Sequence, residues 1–262
     1  MAEALAMAVR TTRVPEGAVA LWWIGQGGFL FKGSDGTVLA VDPFLSDAGA
    51  HRLPPATPTP RQFPTLISPE ALGTLTTAVL CTHEHLDHVD PEAIGAIAAA
   101  NRTLLLLGPR GVRAAYARFG VPVEQIVALD VGESYALGLW TLTATFADHR
   151  ADGPIGFVLD TGTTRIYHTG DTEAHDRLHD VAAFTPSLVT VVINGRGGNM
   201  NAEDAARLVA TLGARAAIPT HYDLFANNLT DPATFVAALA REAPTAQALV
   251  LPRGTRLVWP QD

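Results

Sequence analysis

A chain of 262 residues with 48% hydrophobic and 17% charged side chains can bury one large core, and the expectation is a single domain over residues 1–262. A formal charge of −8 without any basic run argues against nucleic acid or an anionic membrane as partner. The lone cysteine, Cys81, excludes an intramolecular disulfide, and no apolar run approaches the ~20 residues of a spanning helix, so a cytoplasmic protein is expected.

Met1 to Arg13 holds a short Ala-rich stretch with acidic Glu3, too weak for a signal-peptide core. Ala18–Ile24, Phe29–Phe31 and Val38–Val41 are short β-rich runs between Gly-rich turns, a meander. Gly25-Gln26-Gly27-Gly28 reads as a tight turn rather than a phosphate loop, because Phe29-Leu30-Phe31 continues as strand and no helix opens there. Asp42 closes the third run, where it either supports a ligand imidazole or starts a turn. Ser46 to Pro69 carries six prolines (Pro54, Pro55, Pro58, Pro60, Pro64, Pro69), and a loop this long in a compact domain is expected to wall a pocket over the site. His51 within it has no partners in sequence and is expected at the surface.

Thr77–Cys81 predicts a buried strand, and Asp90-Pro91-Glu92 predicts the start of a helix running to Asn101. Leu104–Leu107 is a strand and Pro109–Phe119 a helix ending at Gly120. Strands follow at Ile126–Leu129, Tyr135–Leu137 and Trp140–Phe146, the last delivering Asp148-His149-Arg150. Gly156–Leu159 and Arg165–His168 flank the hairpin turn Asp160-Thr161-Gly162-Thr163, and the second arm delivers Thr169-Gly170-Asp171-Thr172. Leu188–Ile193 ends at a flexible loop, Asn194-Gly195-Arg196-Gly197-Gly198-Asn199. Asn201 caps a helix over Ala202–Leu212, and the short strand Ala216–Pro219 delivers Thr220-His221-Tyr222-Asp223. Asp231-Pro232 opens a last helix, and Ala248–Leu251 and Leu257–Trp259 end the chain as strands.

One stretch departs from ordinary composition. His83, His85, Asp87 and His88 read as H-x-H-x-D-H on a strand-to-helix loop, where several side chains can converge on one point. Imidazole and carboxylate together suit zinc, manganese or iron, and the absence of a thiolate pair argues against a purely structural zinc site. His149, Asp171 and His221 each follow an apolar β-run, as this cluster does. Neighbouring strand ends form one rim of a layered sheet, so the four segments can meet. They supply enough ligands for two ions: three imidazoles for one, two imidazoles with Asp87 for the other, and Asp171 between. His168, three residues before Asp171 on a strand, is expected to be a buried, hydrogen-bonded histidine. His175 and His179, four apart on a possible helix, are expected to be surface or pocket-wall residues.

With these residues the chain resembles the metallo-β-lactamase superfamily, whose pattern is H-x-H-x-D-H followed by a His, an Asp and a His at strand ends. The resemblance spans most of the chain and implies a four-layer αββα sandwich of α/β class with mixed sheets. It assigns His83, His85 and His149 to one metal, Asp87, His88 and His221 to the other, Asp171 to the bridging position, and Asp42 to the family's early structural aspartate. Within the superfamily, Trp23-Ile24-Gly25-Gln26-Gly27-Gly28-Phe29, Val41-Asp42-Pro43-Phe44-Leu45-Ser46 and Pro219-Thr220-His221-Tyr222-Asp223-Leu224-Phe225 are similar to the L-ascorbate-6-phosphate lactonase group. The loop from Asn194 to Asn199 is shorter than that group leads one to expect, which leaves room for a different substrate.

The implied chemistry is hydrolysis of a small, anionic, phosphorylated or unphosphorylated lactone or ester by a metal-bound hydroxide, with Asp87 and Asp171 as catalytic residues. Two divalent ions are expected, zinc or manganese foremost, with iron also accepted by this ligand set. Asn194, Arg196, Asn199, Tyr222 and Asp223 are the candidates for substrate contact, Arg196 as a phosphate fork. The alternative is a dinuclear phosphodiesterase acting on a small phosphodiester or cyclic nucleotide; a polymeric substrate would need a basic groove, and none is visible. An iron redox protein is disfavoured because His85 stands where a carboxylate would suit iron. A serine hydrolase would want a G-x-S-x-G elbow, which the chain lacks. Oligomeric state is not written in the sequence, and a homo-oligomer is compatible with it.

Overall fold

The computed structural model describes residues 2–52 and 59–260, so Pro54, Pro55 and Pro58 of the proline-rich loop lie outside the described residues. The chain opens with α1 (Ala2–Thr11), then runs through an antiparallel meander of β1 (Val19–Gly25), β2 (Gly28–Lys32) and β3 (Val38–Val41). After α2 (Ala48–His51) and α3 (Pro69–Leu75), β4 (Ala78–Leu80) pairs parallel with β3. Next come α4 (Ile94–Ala100), β5 (Leu105–Gly108), α5 (Arg110–Arg118) and β6 (Ile126–Ala128), which extend the parallel half.

The second sheet begins as a second meander of β7 (Ser134–Leu137), β8 (Trp140–Phe146), β9 (Ile155–Asp160) and β10 (Arg165–His168). It continues in parallel through β11 (Leu188–Val192), α6 (Ala202–Leu212), β12 (Ala216–Thr220), α7 (Pro232–Glu242) and β13 (Gln247–Ala248). The last strand, β14 (Arg256–Trp259), returns to the first sheet beside β1. The two seven-stranded sheets therefore have orders β14-β1-β2-β3-β4-β5-β6 and β13-β12-β11-β10-β9-β8-β7.

Both faces of the central strands are buried, which is why these strands read as continuous apolar runs rather than as alternation. In β1, Val19, Leu21 and Trp23 join the core between the sheets, while Ala20, Trp22 and Ile24 pack with Val9 of α1 and Leu72 of α3. On the other side Ala205, Leu208 and Val209 of α6 and Phe235 of α7 pack against the second sheet. The result is the αββα sandwich, with two mixed sheets, that the resemblance implies. No helix among the described residues is long and apolar enough to cross a membrane.

Four details differ from the sequence reading. Helix α4 begins at Ile94, not Pro91, because the Asp90 carboxylate is drawn away from capping. It accepts from Leu45 N at 2.7 Å, Ser46 N at 2.8 Å and Ser46 Oγ at 2.7 Å, fixing the loop after β3. The strand expected over Ala248–Leu251 shortens to Gln247–Ala248, since the chain turns off to carry β14 back to the first sheet. His175 and His179 do not share an α-helical face, because Asp176–Phe184 is 3-10 and His175 is its extended N-cap. The N-terminal stretch forms α1, held by Lys32, whose Nζ donates to Val9 O at 2.8 Å and Arg10 O at 3.1 Å.

Candidate metal centre

The site lies where β3, β4, β8, β10, β11 and β12 end on one rim. Asp42 follows β3 in left-handed backbone, with φ of 43°, and is fully buried. Its carboxylate accepts from Thr82 N and Thr82 Oγ1, both at 2.8 Å, and this ties the ends of β3 and β4 together. From there the chain turns tightly, Val89 N donating to His85 O at 2.8 Å, so that His83 and His85 face one way and Asp87 and His88 the other. Cys81 is buried at the strand end, its Sγ 3.1 Å from His88 O, and plays the small apolar part expected of it.

The structure brings all seven proposed ligands together. His85 Nδ1 lies 2.9 Å from His83 Nε2 and 3.2 Å from His149 Nε2. The outward nitrogens of this trio are occupied: His83 Nδ1 is 3.0 Å from Thr82 Oγ1, His85 Nε2 is 3.1 Å from Arg150 O, and His149 Nδ1 is 2.9 Å from Gly198 O. Such outer partners set each tautomer and leave the inward nitrogens as lone pairs. In the second group, His221 Nε2 lies 3.2 Å from Asp87 Oδ2 and 3.1 Å from Asp171 Oδ2. Asp171 also reaches the first group, its Oδ2 standing 3.9 Å from His149 Nε2.

His88 Nε2 tests whether the residues fit a metal. His88 is buried, its Nδ1 is 2.8 Å from Asp42 Oδ2, and its Nε2 has no hydrogen-bond partner. That nitrogen lies 3.7 Å from Asp87 Oδ2 and 3.6 Å from Asp171 Oδ1, too far for hydrogen bonds but suited to ligands sharing a cation. His83, His85 and His149, and separately Asp87, His88 and His221, place their ligand atoms within 4.8 Å of one another. A purely imidazole trio beside a mixed imidazole–carboxylate trio suits borderline divalent ions.

Electrostatics point the same way. Burial works against charge on Asp87 and Asp171, yet the neighbouring His88 and His221 hold both carboxyls far below the usual range, so both are ionised at neutral pH. Burial would depress His221, but Asp171 and Asp87 outweigh it and push it up to about 9. Burial, aided by repulsion from His88, drives His83 well below the ordinary histidine value and keeps it neutral, as a ligand must be.

The substrate candidates divide. Asn194, Arg196 and Asn199 line a cavity of about 350 Å³ over the cluster, together with Gly49 and Thr59 of the proline-rich segment, which thus walls the site as expected. Asn199 Nδ2 donates to Asp171 Oδ2 at 2.9 Å, so it supports the bridging carboxylate as well as facing the cavity. Tyr222 and Asp223 are corrections. They line a different cavity, where Tyr222 stacks on Trp23 and Asp223 is paired with Arg253, because His221 in left-handed backbone (φ of 63°) turns the next residues away. His168 is buried with Nδ1 2.8 Å from Thr190 Oγ1 and Nε2 3.4 Å from Asp42 Oδ2, while His51 is exposed beside Glu92. His175 and His179 are exposed and line a small separate cavity.

Sequence reasoning missed two residues. Gln26, in the glycine-rich turn, is fully buried with φ of 52° and donates from Nε2 to Asp87 Oδ2 at 2.8 Å. The same nitrogen is 2.9 Å from Nε2 and 3.3 Å from Nδ1 of His221, which places it over the ring rather than in line with either nitrogen. Gly28 permits this turn: a Cβ there would stand 2.9 Å from Gly25 O and 3.1 Å from Asp42 O. Asn228, on the short 3-10 turn Ala226–Asn228, reaches His221 Nδ1 with its Nδ2 at 2.9 Å.

A four-layer αββα sandwich whose strand ends gather five imidazoles and two carboxylates at one rim defines a metal-binding protein of metallo-β-lactamase type. Residues 39–222 match the domain family described as the beta-lactamase superfamily domain, and the chain belongs to that superfamily. A metal-dependent hydrolase of Myxococcus xanthus is 28% identical over 268 residues, covering 92% of this chain and 85% of that protein. A probable L-ascorbate-6-phosphate lactonase of Escherichia coli is 26% identical over 272 residues, covering 86% of this chain and 75% of that protein. Among solved structures, a metallo hydrolase from Ignicoccus hospitalis superposes with a TM-score of 0.72 at 21% identity, covering 94% of this chain and 100% of that one.

Proposed function

We propose that this metal-dependent hydrolase of the metallo-β-lactamase superfamily holds two divalent ions, zinc or manganese, and opens a small anionic lactone. The observation that carries the reading is a cavity of about 350 Å³ with the seven-residue cluster on its floor and Arg196 as its only cationic wall residue among those described. That volume suits a small molecule and not a polymer. The lactonase relatives supply the ester class, and the single arginine favours a substrate with one anionic group.

Divalent ions held by His83, His85 and His149, and by Asp87, His88 and His221, with Asp171 shared, supply Lewis-acid polarisation of the carbonyl and ionisation of water near neutral pH. The chain's own groups do the rest. Asp87 and Asp171, both ionised, act as acceptors that orient the attacking water. Asp87, the more accessible of the two, takes a proton from it and returns it to the ring oxygen as the acyl C–O bond breaks. Gln26 and Asn199 fix the two carboxylates by donating to Asp87 Oδ2 and Asp171 Oδ2. Arg196, steadied by an Nη1 bond of 2.8 Å to Asn227 O, holds the anionic end of the substrate.

The test is a panel of lactones, phosphorylated lactones and phosphodiesters assayed with wild type, Asp171→Ala and Arg196→Gln. We expect lactone turnover abolished by Asp171→Ala, and a KM for anionic lactones raised roughly tenfold by Arg196→Gln, the loss of a charge-assisted contact of about 1.4 kcal/mol. Turnover of phosphodiesters alone would remove the lactonase reading.

A further inference from the structure

His221 has two ring nitrogens with different neighbours. Nε2 faces Asp87 and Asp171 at 3.2 and 3.1 Å, and Nδ1 meets the Asn228 carboxamide nitrogen at 2.9 Å. A neutral imidazole carries one N–H and one lone pair. For Nε2 to offer its lone pair to a cation, the proton must sit on Nδ1, which then needs an acceptor where a donor stands.

Asn228 provides that acceptor if its carboxamide turns by half a rotation, exchanging Nδ2 for Oδ1 and giving up the long 3.4 Å contact to His221 O. The rotation shifts the demand to Asn194, whose Nδ2 donates to Asn228 Oδ1 at 2.6 Å. Asn194 is ready for the change: its Oδ1 is buried and has no hydrogen-bond partner. When its carboxamide turns as well, that oxygen accepts from Asn228 Nδ2. Backbone contacts hold the two asparagines in place, since Arg196 Nη1 donates to Asn227 O at 2.8 Å and Thr230 Oγ1 to Asn194 O at 3.3 Å.

We propose that Asn228 is the positioning residue for His221, and that the Asn194–Asn228 pair turns in concert to hold His221 in the tautomer whose Nε2 is open to a metal. Asn194 thereby becomes part of the metal centre's support rather than a substrate contact. The inference rests on the two-ion reading above, and its test separates the two.

Zinc is titrated into chelator-stripped full-length protein against a competing chromophoric chelator, for wild type, Asn228→Leu and Asn228→Asp. Asn228→Leu should take the first zinc as wild type does and the second about 10–100-fold more weakly, the usual loss when a ligand histidine loses its outer partner. Asn228→Asp, whose side chain can only accept, should retain the second zinc, and long-range 15N spectra of the zinc-loaded wild type should show His221 protonated on Nδ1. If Asn228→Leu does not fold, the Asp variant and the spectra decide. A wild type that takes one zinc overturns the two-ion reading itself. A wild type that takes two, with Asn228→Leu unimpaired, with Asn228→Asp failing, or with His221 protonated on Nε2, overturns this inference alone.

Discussion

Replacing Asp42 by asparagine should strip the metal-free protein of a large part of its stability without changing its shape. Asp42 is fully buried, with φ of 43°, a conformation that asparagine tolerates, so the substitution removes charge and an acceptor rather than volume. The carboxylate is 2.8 Å from His88 Nδ1, with both side chains at 0% exposure, and it also binds Thr82 twice. Removing one partner from a buried pair costs about 3–5 kcal/mol, against a total stability of about 5–15 kcal/mol. At about 2–4 °C per kcal/mol for a domain near this size, the midpoint should fall by roughly 10 °C. The pH dependence has a definite sign. Burial would raise the Asp42 carboxyl, but His88 and His168 hold it below the usual carboxylate range, so its contribution is present above about pH 4 and lost as pH falls. Burial would lower His88, but Asp42, Asp171 and Asp87 raise it, so its contribution is full below about pH 6.5 and lost as pH climbs through its folded-state value. The gap between wild type and Asp42→Asn should therefore be widest between about pH 4 and 6.5. Urea titrations in chelator across this range measure it. A gap below about 1 kcal/mol at its widest, or one that stays level from acid to alkaline pH, would refute the buried-pair account.

The remaining expectations concern the metal, the turn and the N-terminal helix. Because His88 and His221 are raised in the metal-free protein, His221 to about 9, zinc loading at pH 7.5 should release protons. Calorimetry in two buffers of different ionisation enthalpy would show it, and identical heats would contradict it. Gln26→Leu removes the 2.8 Å bond to Asp87, and should lower kcat or second-metal affinity about 10–100-fold while leaving the fold intact; a variant equal to wild type in both would show that bond to be incidental. Lys32→Met deletes two charge-assisted bonds to the end of α1, and should cost about 2–3 kcal/mol and speed tryptic cleavage at Arg10 and Arg13. Unchanged urea midpoint and cleavage rate would mean that apolar packing of Leu5 and Val9 alone seats the helix.

Elements with strong local signals were legible. Trp140–Phe146 and Arg165–His168 form strands with the limits read from their β-rich runs, and Ala202–Leu212 is a helix because Asn201 caps it and Gly213 ends it in left-handed backbone. The start of α4 was not, because Asp90-Pro91 carries a capping signature that a contact 45 residues away overrides. Nor was α1, whose alanines declare helix propensity but whose docking depends on Lys32 from β2. The metal-competent side chains stood out because histidine and aspartate at the ends of apolar strands are costly to place without a use.

Gln26 and Asn228 were invisible for a different reason. Both are ordinary polar residues in turns, and their roles arise only from contacts made across the fold: Gln26 lies 61 residues from Asp87 and 195 from His221. The structural sign that marks this part of the molecule is backbone strain. Of the four non-glycine residues in left-handed backbone among those described, three, Gln26, Asp42 and His221, are in the centre itself. Each such residue costs of order 1–3 kcal/mol unless its surroundings over-determine it. Here they do so mutually: Gln26 O accepts from His221 N at 3.1 Å and from Trp23 Nε1 at 3.0 Å, while Asp42 is held by Thr82 and His88. Two carboxylates and several imidazoles repel or dehydrate one another when gathered at one point, and unstrained strand ends would let them relax apart. The left-handed turns resist that relaxation, so the chain keeps its ligands converged before any ion arrives to reward it.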